Sequence, residues 1–243
     1  MKALAPLLAL ALALATPWRV QAGEPAPLRF IAPMNHTMPF ADFERGEIKT
    51  GIVKDISEAV ARQLGRRAKF VSVPPRRVAL VLMAGEADGV CYVGQRWIDG
   101  NFHWTPPVFE QMSVIAARPD SRAISQLQSL AKQPVGTVYA YRYPDIERLL
   151  GADFVRDDAP SMLINLRKLA AGRTRYAATE QITLDFYIKQ HPDEGLRVAM
   201  LSGRYATHCA FTRAHALPLE ALDEAVRELV RNGSIERILA SYR

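Results

Sequence analysis

Cysteine is scarce in this chain, with only Cys91 and Cys209 among 243 residues. Two thiols so far apart in sequence exclude a disulfide-dense miniature scaffold and a multi-cysteine zinc site. An oxidising compartment allows one bridge between them; two separate buried thiols are the other reading, and the sequence leaves both open. The five histidines, His36, His103, His191, His208 and His215, are scattered without ligand spacing, so they read as surface or loop residues and no metal site is expected. The G-x-S-x-G elbow, the G-x-x-x-x-G-K-[ST] loop and the H-E-x-x-H pair are all missing, and no motif calls for a cofactor. No basic run with interleaved aromatics occurs, which excludes the usual nucleic-acid surface. Beyond the N-terminal segment, no stretch reaches the ~18 apolar residues of a membrane-spanning helix.

What is present begins with "MKALAPLLALALALATPWRVQA": Lys2, an apolar run from Leu4 to Ala15, and small or polar residues up to Ala22. This is the order of a secretory signal, with cleavage expected after Ala22 although Val20 is large for its position. No cysteine follows it to carry a lipid. Its removal takes Lys2 and Arg19 and lowers the formal net charge from +6 to +4. The mature chain is expected to be exported, most simply to a bacterial periplasm.

With 49% hydrophobic residues, the chain can fill a sizeable core. The strand "LRFIAP", the helix "IVKDISEAVARQLG" with Ile52, Ile56, Ala59, Val60 and Leu64 at helical spacing, the strand "AKFVSV", a helix opened by Pro74 and Pro75, and the strand "ADGVCYV" make a β-α-β-α-β series. In the second helix Val78, Leu80, Val81 and Leu82 are expected to form the apolar face and Gly85 the stop. After "GQRWIDGNFHWTPPVFEQ" a second α/β series runs from "MSVIAARP" to "LRVAML". A last strand, "YATHCAFTR", and two helices follow. The fold class is therefore α/β in two lobes, each an open sheet flanked by helices. Residues 1–22 form the signal, 23–110 and 204–243 lobe 1, and 111–203 lobe 2. The crossovers near Glu110 to Met112 and near Arg204 to Thr207 are expected hinges, and a cleft opens between them.

The segments "MPFADFERGEIKTGIVKDISEAVARQLG", "LVLMAGEADGV", "WTPPVFEQMSVIAAR", "VGTV", "LRKLAAGRTRYAATE" and "LVRNGSIERILASYR", in this order and spacing, resemble the bacterial extracellular solute-binding proteins of family 3. That family comprises the periplasmic receptors of polar amino acid ABC transporters. The resemblance implies a two-lobed, periplasmic-binding-protein-like clamp, monomeric, which closes on a small-molecule solute and delivers it to a permease. It also implies neighbouring strands of lobe 1 for Cys91 and Cys209, where a bridge would stiffen the lobe.

By the same resemblance Phe40 matches the family's hydrophobic wall, and Glu180 falls where the family has an Asp for the ligand ammonium. Two loops depart from the pattern. "YVGQRWIDG" lacks the Thr-x-x-Arg that holds a ligand carboxylate and offers Tyr92, Gln95 and Arg96 instead; "YAYRYPD" brings Tyr141 and Arg142 in place of small hydroxyl residues. Arg77 or Arg96, with Arg142 opposite, is expected to form a carboxylate fork, with Arg77 facing the cleft and Arg76 solvated, and to favour an acidic or zwitterionic solute. Glu180 also supports an alternative. The resemblance extends to cyclohexadienyl dehydratases, in which such a carboxyl would be a general acid. A sensor domain of a membrane receptor is a third class, and it would need a second membrane span.

Overall fold

The structure, a computed structural model, describes residues 25–243; the expected signal segment and its cleavage site lie outside the described residues. The chain enters as strand β1 (Leu28–Pro33), whose side chains are almost all buried, and turns through residues 34–41 into a short hairpin of β2 (Asp42–Glu44) and β3 (Glu47–Thr50). Helix α1 (Ile52–Gln63) follows. Its first amides donate to backbone carbonyls of the preceding turn, Ile52 N to Pro39 O at 2.9 Å and Val53 N to Phe40 O at 3.0 Å, in place of a side-chain cap. Gly51 allows this close approach, because its φ of 126° and the contact with Phe40 leave no room for a Cβ. Ile52, Ile56 and Val60 are fully buried at helical spacing, each stabilising the fold by ~1.5–3 kcal/mol.

After β4 (Ala68–Val73), the prolines open a single 3₁₀ turn, Pro75–Arg77, before helix α2 (Val78–Met83). Val78, Val81 and Leu82 are buried, but Leu80 is 59% exposed, because position 80 falls on the opposite side of this short helix from Val78 and Val81. Then come β5 (Gly89–Val93), β6 (His103–Trp104) and the long β7 (Phe109–Ala117). The second series holds β8 (Pro134–Val138), α3 (Pro144–Leu150), β9 (Val155–Ala159), α4 (Met162–Ala170), β10 (Tyr176–Glu180) and α5 (Gln181–Gln190). Strand β11 (Arg197–Phe211) and helices α6 (Leu219–Arg231) and α7 (Ser234–Ala240) complete the chain.

The segments "LRVAML" and "YATHCAFTR" are thus one 15-residue strand. Ser202-Gly203-Arg204 reads as a break in sequence, yet β7 pairs antiparallel along the whole segment, from Arg197↔Ala117 to Thr207↔Phe109. Register shifts at Val198/Met200 and Leu201/Gly203 absorb the extra residues as bulges. The two crossovers therefore run as a paired ribbon through the middle of a continuous sheet ordered β4-β1-β5-β11-β7-β10-β8-β9.

Hydrophobic cores flank both halves of this sheet. On one half, α1, α6 and α7 cover one face through residues such as Ile56, Leu222 and Leu239, and α2 covers the other with Ile31, Val90 and Ala210. On the other half, α3 packs with Ile115, Leu130 and Tyr176, while α4 and α5 pack with Val114 and Ala177. Cys91 and Cys209 are direct register partners on β5 and β11, 3.9 Å apart at Cα, and are joined by a disulfide. No helix among the described residues is long and apolar enough to cross a membrane.

Candidate functional site

Where the two halves face each other the structure encloses a cleft of about 460 Å³, within the range of small-molecule sites. Of the residues singled out in the sequence, Tyr92, Gln95, Arg96, Tyr141, Arg142 and Glu180 line it. Phe40 does not reach the lining; it is buried behind it, stacked on Tyr92 with ring centroids 3.8 Å apart. Arg77 is exposed outside the lining, and its neighbour Arg76 lies over the ring of Tyr139, 4.7 Å from the centroid, in a cation–π contact across the cleft.

Two turns aim the lining rings. Tyr92, near the end of β5, has φ of 61°, and Ala140, just after β8, has φ of 66°. Side chains other than glycine rarely adopt this left-handed conformation, and such strain concentrates at functional sites. The Tyr92 ring is sandwiched between Phe40 and Phe109, which hold it rigid. The left-handed Ala140 turns the chain so that Tyr141, Arg142 and Tyr143 come off together before Pro144 starts α3. Tyr143 is locked by the Val138 amide, which donates to its hydroxyl at 2.8 Å.

Glu180 ends β10 at the N-cap of α5 and is partly buried, with Thr183 Oγ1 donating to its carboxylate at 3.5 Å. Burial dominates its titration and pushes its pKa up to about 7. The Glu180 charge in turn helps hold the phenols of Tyr92, Tyr141, Tyr143 and Tyr205 above their ordinary range, after burial itself, which places four tyrosines around one carboxyl.

Several further groups in the cleft carry no selecting signal in the sequence. His36 is half-buried in the cleft lining rather than a surface residue, and burial holds its imidazole down at a pKa of about 4, in the neutral form. Its Nδ1 and both side-chain polar atoms of Asn35 are buried without a hydrogen-bond partner in the protein, while the buried Tyr92 hydroxyl lies beside that of Tyr205. All three residues line the cleft, as do Trp97 and Tyr205. The only signal in the sequence is the position of "NH" in the loop just before Phe40.

The arginines are arranged differently from a fork. Arg96, from the loop after β5, bonds Asp145 of α3 at 3.3 Å, and Arg142 from the opposite half grips Asp99 with both terminal nitrogens, one at 3.0 Å. The Arg142 guanidinium also reaches the Arg96 carbonyl at 3.4 Å. Both guanidinium groups thus satisfy acids of the facing half rather than pointing jointly at a solute. Arg204 of β11 also lines the cleft, on its exposed side, and pairs with no acid among the described residues.

No protein-family model and no curated protein matches this sequence. Solved structures match it in fold. The arginine-, lysine-, histidine-binding protein ArtJ from Geobacillus stearothermophilus is 18% identical with a TM-score of 0.74, over 89% of this chain and 94% of that one. The ancestral amino acid-binding protein AncCDT-1, described as a precursor of cyclohexadienyl dehydratase, is 14% identical with a TM-score of 0.74, over 89% and 95%. A histidine kinase sensor domain with similarity to periplasmic binding proteins is 21% identical with a TM-score of 0.72, again over 89% and 95%. The fold is that of the two-lobed periplasmic binding proteins.

Proposed function

We propose that this protein is an exported receptor that captures a small polar solute bearing an amino group in its interlobe cleft and passes it to an ABC-type permease. The observation that carries the reading is Glu180, a partly buried carboxyl that faces the cleft and has no cationic partner among the described residues. A charge in such a place is costly unless it meets an opposite one, and a ligand ammonium supplies it. The partnerless buried atoms of Asn35 and His36 support the same reading, since each costs ~1–3 kcal/mol until something bonds it. The leader ending at Ala22 supports export, and a monomer suits a clamp that works by closing on its ligand.

Thermal shift of the purified protein against amino acids, amines, small dicarboxylates and prephenate-like compounds tests the proposal. A ligand at a hundred times its dissociation constant adds about 2.7 kcal/mol to stability and raises Tm visibly. Glu180→Ala is expected to abolish that shift while leaving the fold intact. Silence across the whole panel would overturn the reading.

Glu180 also favours a second reading. A carboxyl titrating near 7 suits a general acid, and neutral His36 in the same cleft is a proton acceptor of the complementary kind. In that case a ligand from the panel would be consumed on incubation, which chromatography of the mixture detects.

A further inference from the structure

The cleft walls carry more information about the solute than its amino group. Six aromatic rings follow one another around the cleft in a connected chain: Tyr143 to Tyr141 at 6.4 Å between centroids, Tyr141 to His36 at 6.3 Å, His36 to Tyr92 at 5.7 Å, Tyr92 to Trp97 at 5.9 Å, and Trp97 to Tyr205 at 4.9 Å. Both halves of the molecule contribute. Ring faces present negative potential, and rings gathered around one carboxylate attract an organic cation; Tyr92, stacked between Phe40 and Phe109, connects the rings rather than offering a face. Two of the three lining guanidinium groups that would hold a carboxylate are otherwise engaged, and the third, Arg204, is the one an amino acid would have to use. Arg96 and Arg142 are bound to Asp145 and Asp99 across the cleft, while Arg204 lines it as an exposed residue with no acid beside it among the described residues.

From this arrangement we infer that the solute is a carboxylate-free organic cation, an amine or guanidine, held by Glu180 within the six-ring chain. The inference rests on the receptor reading and narrows it, and it reverses the preference for an acidic solute that arginines in the sequence suggest. The cation needs no guanidinium clamp at its other end. Its apolar body lies against the rings, and any hydroxyl or second amine finds the unpartnered atoms of Asn35 and His36.

Matched pairs that differ only by a carboxylate test this directly: arginine with agmatine, lysine with cadaverine, histidine with histamine, tyrosine with tyramine. Calorimetric titration of the purified protein is expected to show at least one amine binding as tightly as its amino acid or more tightly. Glu180→Gln, which keeps the side chain's size, should weaken that amine at least tenfold. Tyr141→Phe should bind nearly as well as the parent while Tyr141→Leu loses several-fold, because the ring face rather than the hydroxyl meets the cation. Affinity should rise as pH increases toward 7 and level off above it as Glu180 ionises; the groups around it are Tyr92, Tyr141, Tyr143, Tyr205 and Thr183, of which none gains charge in that range. Amino acids that bind at least tenfold more tightly than their amines, with the difference removed by Arg204→Ala, would overturn the inference and leave the receptor reading standing. Silence of all eight compounds overturns the inference, and the receptor reading then falls only if the wider panel is silent too.

Discussion

Glu180 and His36 titrate in opposite directions, and this has a measurable consequence at the level of single residues. Glu180 is raised from 4.5 to about 7, so the folded state holds a proton that the unfolded chain has released, and stability falls as pH rises from about 4.5 to 7. His36 is lowered from 6.5 to about 4, so stability falls instead as pH drops through that window. In the parent protein the two slopes offset each other between pH 4.5 and 6.5. Chemical denaturation across this range should show Glu180→Gln gaining stability with rising pH and His36→Gln losing it, each by on the order of 2–3 kcal/mol. Parallel slopes in the two variants would contradict the assignment. Glu180 was legible through the family resemblance, which places an acid at the end of this strand. His36 was not, since nothing in "MNHTMPF" marks which ring the fold will enclose.

At the scale of elements, the β7–β11 ribbon is the departure from a reading by local pattern. A Ser-Gly-Arg triplet lowers strand propensity, but propensity is a weak constraint once a partner strand supplies a ladder along the whole length. The bridge from Cys91 to Cys209 ties β5 to this ribbon across 118 residues of chain. Closing a loop on the order of 100 residues is worth ~4–5 kcal/mol, chiefly through the unfolded chain's lost entropy. Reduction, or the Cys91→Ala/Cys209→Ala pair, is expected to lower denaturation stability by roughly that amount while solute affinity stays within about twofold. Thiol titration of the oxidised protein should find none free; two free thiols would show that the bridge does not form.

At the scale of the molecule, the paired arginines and aspartates act as contacts between the two halves. Arg96–Asp145 and Arg142–Asp99 cross the cleft in opposite senses, and Arg76 on Tyr139 adds a third link. All are largely exposed, so each alone contributes little and salt screens them. Together they bias the molecule toward the closed arrangement. The double variant Asp99→Ala/Asp145→Ala, or about 1 M salt, is expected to shift the population toward an open form, seen as a larger radius of gyration in small-angle scattering and a several-fold weaker solute affinity. An unchanged radius would mean that the ribbon alone sets the angle between the halves.

Most of the strands and helices in their order, and the two-lobed plan, were legible in the sequence, and the family resemblance singled out Glu180. Hydrophobic spacing and turn residues are local, and each lobe buries its own apolar faces. Only the tertiary structure decided what the arginines do, that Phe40 lies behind Tyr92 rather than in the cleft, and which rings surround the carboxyl. Arg96, Asp99, Arg142 and Asp145 meet because two lobes approach each other, and the partner of a charge is a property of distance in space that no local pattern encodes.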